Sequence, residues 1–200
     1  MENTKGRISP LLSVLVAMLL ACLLGAVAPK VALADEGGDG LTTVHLEGTL
    51  HQTEARSMLE MVNKFRTNEI TPEYKGDQPW FWGSTGKRIE AKALKPLNWS
   101  DRLESLAIRR AQEIVVRFDH YRPDGNPCWS ADVEGTASWA GENIACGQET
   151  AEEVFLDWRE DEESFSGQGH CRIMLRDTSS IGIACVENNG CKYWVIETGN

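Results

Sequence analysis

Positive charge is the scarcest commodity in this 200-residue chain: 20 Lys and Arg stand against 30 Asp and Glu, for a formal net charge of −10. The Lys and Arg residues that exist are not clustered. That excludes the phosphate-tracking surface a nucleic-acid partner needs, since such binding rests on grouped cations. Internal repeats are missing too, which excludes solenoids and propellers. So are long low-complexity tracts. Histidine is rare, with four in the whole chain, and none stands in the HExxH spacing of a helical zinc protease. Neither a nucleophile elbow nor a Cys–His dyad is evident.

What is present begins with the N-terminus. Lys5 and Arg7 precede an almost wholly apolar run from Leu11 to Val27, and Ala32-Leu33-Ala34 then offers the small-x-small pattern of a signal-peptidase site. Residues 1–34 are therefore expected to be a signal peptide, with Asp35 opening the mature chain. Two alternatives stay open. The apolar run is slightly short for a membrane span but leaves an uncleaved anchor conceivable. Leu19-Leu20-Ala21-Cys22 resembles a lipobox, although apolar residues continue past Cys22. Membrane attachment is expected only through such an anchor or lipid. Cleavage after Ala34 removes three cations and one acid and takes the net charge to −12. The remainder is the size of one domain.

Export permits disulfides, and Cys128, Cys146, Cys171, Cys185 and Cys191 survive cleavage. Five is odd, so at least one stays unpaired, pairs between chains or serves as a ligand. Cys185 and Cys191 flank Glu187-Asn188-Asn189-Gly190, a hairpin-turn sequence, which makes them the candidates for a short cross-strand bridge.

Residues 35–51 are rich in Gly, Asp and Thr and read as an extended, poorly ordered leader. The domain is expected over 52–200. A first helix is expected from an N-cap at Thr53 through Met58, Met61, Val62 and Phe65, ending at Thr71-Pro72. Residues 71–98 form a long connection carrying Trp80-Phe81-Trp82, read as covering a core edge. Ser100 should cap a helix from Asp101 to about Phe118, with Leu103, Leu106, Ala107, Ala111, Ile114 and Val115 on one face. Thr150 and Glu153 form a capping box for a third helix through Val154, Phe155 and Trp158. A short helix is expected after His170. Ser180–Glu187 and Cys191–Glu197 read as a β-hairpin. Helices mixed with antiparallel strands in this way indicate an α+β layered domain.

Three polar segments could bring chemistry together from distant sequence. His120 follows a helix end and precedes the Arg122-Pro123-Asp124-Gly125 turn, which places it at a rim. Glu142 lies between Ala140-Gly141 and Ile144-Ala145, as a half-buried carboxylate would. His170 follows Gly167-Gln168-Gly169, whose glycines allow close backbone approach. Two imidazoles and a carboxylate suit a divalent metal or a general acid/base pair. They equally suit a structural role in which Glu142 ties helix to sheet. Arg122, Asp124 and Asn143 read as architectural, and the Asn98-Trp99-Ser100 sequon is short enough to arise by chance.

The order and spacing of these segments resemble the CAP superfamily: SCP-like extracellular proteins, cysteine-rich secretory proteins, antigen 5 and pathogenesis-related 1, in its bacterial form. Leu97–Gly125, ending in His120-Tyr121-Arg122-Pro123-Asp124-Gly125, is similar to the family's second helix and following turn. Gly141-Glu142-Asn143-Ile144 resembles its GENI segment. Trp158–Leu175, with Ser166-Gly167-Gln168-Gly169-His170, resembles the run in which a helix-borne acid precedes a histidine. Ile181-Gly182-Ile183 and Tyr193-Trp194-Val195 resemble the closing strands, so the likeness spans roughly Glu54–Gly199. It implies a three-layer α-β-α sandwich with a central antiparallel sheet. It also implies a cleft of two histidines and two acids associated with divalent metal, zinc or magnesium. By position the set is His120, Glu142, His170 and a fourth acid, Glu160, with Asp161 next. Two departures stand out: Cys171 and Ile173 replace the Arg and Asn of the bacterial form, and Glu197-Thr198 replaces a Gln/Glu-Phe ending. Cys171 reads as structural, because adjacent helical residues point about 100° apart.

The implied function is a secreted or cell-surface binding module, not catalytic, taking an extracellular lipid, peptide, glycan or metal in a cleft of His120, Glu142 and His170. A metal-dependent hydrolase using the same cleft is the alternative, with Ser164 and Ser166 near His170 but lacking an orienting group. A surface interaction protein with a vestigial cleft, engaging partners through Trp80, Phe81 and Trp82, is the third reading.

Overall fold

The computed structural model describes residues 46–67, 81–82, 88–89, 94–132, 138–161 and 168–200. The expected signal peptide and most of the expected leader therefore lie outside the described residues, as do Thr71-Pro72, Trp80, Ser164 and Ser166. Among the described residues no helix is long and apolar enough to cross a membrane.

The chain runs in the order β1 (Thr49–Leu50), α1 (Gln52–Arg66), β2 (Phe81–Trp82), β3 (Arg88–Ile89), β4 (Asn98–Trp99), α2 (Asp101–Val116), a single 3₁₀ turn (Cys128–Ala131), β5 (Trp139–Cys146), α3 (Ala151–Arg159), α4 (Gly169–Met174), β6 (Ser180–Asn188) and β7 (Cys191–Gly199). The main sheet is ordered β1-β6-β7-β5, antiparallel throughout, with β4 added parallel to β6. The β6–β7 hairpin turns at Asn189 (φ 51°) and Gly190 (φ 75°), the left-handed pair that a tight hairpin of this hand requires. β2 and β3 form a separate two-stranded ribbon.

Strand alternation sorts the core into two layers. Ile181, Ile183 and Cys185 of β6 and Trp194 and Ile196 of β7 point to one face, against Met58, Val62 and Phe65 of α1 and Val154, Phe155 and Trp158 of α3. Ala184, Val186 and Val195 point to the other, against Ala107, Ala111 and Ile114 of α2. The result is the expected α+β sandwich of three layers, α-β-α. Each fully buried Ile or Val contributes about 1.5–3 kcal/mol. Gly182 sets how closely α2 can approach: a Cβ there would lie 2.1 Å from backbone atoms of Leu103 and Glu104.

The helix caps show how the sequence starts these elements. Leu103 N donates to Ser100 Oγ at 3.3 Å, and Thr150 and Glu153 make a reciprocal capping box. α2 stops at Val116, two residues short of expectation, because Arg117 turns extended (φ −143°). α1 begins at Gln52 and not at an N-cap on Thr53; His51 occupies the cap position without a side-chain cap bond. The reason lies in the sheet. Thr49 and Leu50 pair with Glu187 and Val186, His51 N donates to Cys185 O, and its ring meets Glu187 Oε2 at 2.8 Å. The end of the expected leader, residues 49–50, is thus an edge strand, and it fixes where the helix begins.

Arg66 fastens the far end of α1. Its guanidinium, 1% exposed, donates to Lys95 O at 3.0 Å, Met174 O at 2.6 Å, Arg176 O at 2.9 Å and Thr178 O at 3.3 Å. Burial lowers its pKa to about 10 because desolvation penalises the cation. Four carbonyl acceptors keep it satisfied.

The expected Cys185–Cys191 bridge is not formed. The register sets Cys185 opposite Trp194 and Cys191 opposite Asn188. Cys185 lies in the α1/α3 layer, whereas Cys191 shares a face with Tyr193, which packs against the α2 layer. The two sulfurs therefore point to opposite sides of the sheet, and both residues are free thiols.

Candidate functional site

β5 is the terminal strand of the sheet, and the candidate residues gather along it from both faces. On the α2 face, Glu142 is almost wholly inside, its side chain 1% exposed. Its Oε1 meets His120 Nδ1 at 2.8 Å, and its Oε2 accepts from Arg110 Nε at 2.7 Å. A longer bond from Arg110 Nη2 reaches Oε1 at 3.3 Å. Arg110 is held in turn by Glu113 Oε2 at 2.8 Å and Asp119 O at 2.8 Å. Arg122 closes the network on Glu113 Oε1, through Nε at 2.9 Å and Nη2 at 2.7 Å. The His120 ring itself stands at the rim, 55% exposed.

Glu197 of β7 lies opposite Glu142 in the register and is completely buried. Its Oε2 accepts from Trp139 Nε1 at 2.6 Å. Burial, and then the Glu142 charge, push its carboxyl well above the ordinary carboxylate range. Burial works in the same direction on Glu142 but is outweighed by the His120 and Arg110 bonds and the Arg110 charge, which hold it below that range. The two carboxyls are thereby driven apart, Glu142 biased toward the ionised form and Glu197 toward the neutral one.

On the opposite face, His170 Nδ1 meets Glu160 Oε1 at 2.6 Å. Glu160 follows α3 in left-handed backbone (φ 53°), which aims its side chain back at α4. Its Oε2 accepts from Cys171 N at 3.2 Å. The His170 ring lies over Trp158, 6.4 Å between centroids at 29°. Asn143 ties this half to the strand, its Nδ2 donating to His170 O at 3.1 Å.

His120, Glu142, His170 and Glu160 thus assemble as two imidazole–carboxylate pairs about one strand. Asp161, the other acid considered for this place, bonds Arg159. Asp124 serves its own turn, accepting from Asn126 N at 2.8 Å. Asn98 and Trp99 are taken up by β4. Of Phe81 and Trp82 the structure describes only the backbone of β2. Arg110 and Glu113 escaped sequence reasoning, and Glu197 was met there only as a departure from the family's ending. Arg110 had a signal: it falls at helical spacing on the Ala107–Ala111–Ile114 face, where a cation needs a buried partner.

An ionised carboxylate only accepts hydrogen bonds. A carboxylate at Nδ1 therefore fixes the tautomer that leaves Nε2 as the free nitrogen, the arrangement found behind metal-ligating histidines. Both carboxylates stand behind their rings in this way. Among the described residues no group of three or more His, Cys, Asp or Glu side chains gathers closely enough to hold a metal ion. Imidazole nitrogen suits zinc, whereas magnesium prefers oxygen donors. By donor chemistry alone, the Nε2 atoms of His120 and His170 would suit zinc over magnesium.

Residues 59–197 match the model of the CAP family, the cysteine-rich secretory protein family. An uncharacterized protein of Bacillus subtilis, YkwD, is 32% identical over 109 residues, 52% of this chain and 40% of that protein. The match thus spans well under half the length of that relative. Among solved structures, venom allergen-like protein 4 of Schistosoma mansoni superposes with a TM-score of 0.53 at 19% identity, over 74% of this chain and 89% of that one. NaASP2, solved with Zn²⁺, gives 0.51 at 19% identity over 74% and 80% of the two chains. An outer surface protein of Borrelia burgdorferi gives 0.50 at 13% identity over 78% and 98%. These likenesses show the same fold. With its residues 59–197 accounted for by the family pattern, the chain belongs to the CAP family.

Proposed function

We propose that this protein is an extracellular binding module, secreted or displayed at the cell surface, whose cleft takes zinc between His120 and His170. The observation that carries this reading is the matched pairing of His120 Nδ1 with Glu142 at 2.8 Å and His170 Nδ1 with Glu160 at 2.6 Å. Each carboxylate spends itself orienting a ring, and each ring keeps its Nε2 for a ligand outside the protein. With two imidazole donors among the described residues, open positions on the ion could be completed by a carboxylate, phosphate or other anionic group of a bound molecule. NaASP2, a protein of the same fold, was solved with Zn²⁺, which supports zinc as the ion to test. The apolar run and Ala32-Leu33-Ala34 pattern at the N-terminus support export, and the outer surface protein of Borrelia burgdorferi has the same fold.

Calorimetric titration of the protein with zinc and with magnesium tests the reading directly. Zinc should bind at one site and magnesium should not, and the double variant His120→Ala/His170→Ala should lose the zinc heat while melting at a similar temperature. Zinc binding that survives the double variant, or none in the parent protein, would overturn it.

A further inference from the structure

The odd number of cysteines resolves when they are sorted by burial. Cys128, Cys171 and Cys185 lie in the core at 3%, 0% and 0% exposure. Burial pushes the Cys128 and Cys185 thiols up to about 12, which leaves almost no thiolate for exchange chemistry. Cys146 is exposed and Cys191 half-buried. These two stand on neighbouring strands at the same end of the sheet. Cys146 is the last residue of β5, opposite Tyr193 of β7. Cys191, two residues from Tyr193, projects from the same face.

Cys146, Tyr193 and Cys191 therefore share one corner. Burial and then the charge of Cys191 raise the Cys146 thiol. Burial, then Cys191 through its charge and a side-chain bond, and then Cys146 raise the Tyr193 hydroxyl. Such mutual influence needs short separations.

We propose that Cys146 and Cys191 are a disulfide-forming pair that clips the end of β5 to the start of β7. Diagonal neighbours on an antiparallel ladder have Cα atoms about 7–8 Å apart, and a disulfide spans up to about 6.8 Å. Closure thus asks for a shift of about 1 Å. Both residues sit where the backbone can give it: Gly147 (φ 96°) follows Cys146, and the Asn189-Gly190 turn precedes Cys191. The loop so closed contains α3, Glu160, α4, His170 and β6, so the clip ties the His170 half of the cleft to the strand that carries Glu142.

The oxidant is a small or protein disulfide, such as glutathione disulfide. The exposed Cys146, as thiolate, attacks one sulfur of glutathione disulfide and releases one glutathione thiolate. Cys191 gives up its proton and attacks the Cys146 sulfur of the mixed disulfide, releasing the second. Two protein thiols and one glutathione disulfide become one protein disulfide and two glutathione thiols.

The test equilibrates the full reduced chain in a glutathione buffer rich in glutathione disulfide, then alkylates and maps it by mass spectrometry. The expected product is monomeric, lighter by two hydrogens, with one bond between Cys146 and Cys191. Cys146→Ser and Cys191→Ser should each abolish that bond, and Cys128→Ser and Cys185→Ser should retain it. The oxidised chain should melt about 5–10 °C above the reduced one. Full alkylation of both thiols in that buffer would overturn the proposal. So would a glutathione adduct persisting on Cys146, a bond to any other cysteine, or a covalent dimer.

Discussion

The two imidazole–carboxylate pairs differ in how they are held, although each sets a carboxylate at the Nδ1 of its ring. The His120 pair is anchored in depth: Glu142 is 1% exposed at its side chain and is gripped by an arginine that is itself fully buried. Behind it stand Glu113 and Arg122. The His170 pair is anchored at the surface of a helix end. Glu160 is 11% exposed at its side chain, and Oε2 rests on the backbone N–H of Cys171. Among the described residues its carboxylate meets an imidazole and an amide where Glu142 meets an imidazole and a guanidinium. One carboxylate belongs to the fold and its ring comes with it. The other belongs chiefly to its ring. The fold should therefore depend on the Arg110–Glu142 anchoring behind the first ring and tolerate loss of either ring or of the second carboxylate, while metal binding should need both rings.

The largest effect should follow from breaking the deep pair at its cation. Arg110→Met would leave the buried Glu142 carboxylate without its guanidinium, while Glu113 would keep Arg122 alone. Removing one partner of a buried pair costs about 3–5 kcal/mol, and urea unfolding would report it as a lower midpoint. A loss under about 1 kcal/mol would show that the network is not holding the fold, and the contrast between the halves would fail.

Next comes Glu160→Gln. Removing the carboxylate that orients a metal-bound histidine from behind costs about 10–100-fold in affinity, to be read by zinc titration. Stability should change by less than about 1 kcal/mol, as for a partly exposed pair. Equal losses of affinity and stability would make this half as structural as the other.

This split explains what was legible in the sequence. His120, Glu142, His170 and Glu160 could be placed because each sits beside a turn, glycine or helix end that marks it. The caps at Ser100 and Thr150 announced themselves for the same local reason. What stayed hidden is long-range pairing. Trp139–Cys146 carries no simple apolar–polar alternation because both faces of β5 are largely covered, and Thr49–Leu50 becomes a strand only because Glu187 and Val186 are there to receive it. Arg110 lies in a helix whose pattern was read for apolar residues alone. Glu197 was noticed as a departure, but its burial against Glu142 depends on a cross-strand register that no local pattern states. The bridge expected at Cys185–Cys191 failed on the same point, since closeness in sequence across a turn does not set the face.

The smallest effect, and the finest test of the deep half, is a slope with pH. Glu197 has a folded pKa raised above the ordinary 4.5. The folded state therefore holds a proton that the unfolded state has released, and the stability this confers is complete below the ordinary carboxylate range and drains away as pH rises toward the folded value. Glu142, held below 4.5, works in reverse: its contribution is present above the ordinary range and is lost as pH falls toward its folded value. Glu197→Gln keeps a neutral side chain that can accept from Trp139 and donate toward Glu142, and it removes the first of these slopes alone. Unfolding free energies measured from about pH 4 to 8 should thus fall less steeply in the variant than in the parent, by no more than about 1.4 kcal/mol per pH unit for one group. The acid-side loss due to Glu142 should remain. If the variant instead lost its acid-side slope and kept the other, the ionised and neutral roles of the two acids would be exchanged, and His120 would be backed by the neutral acid.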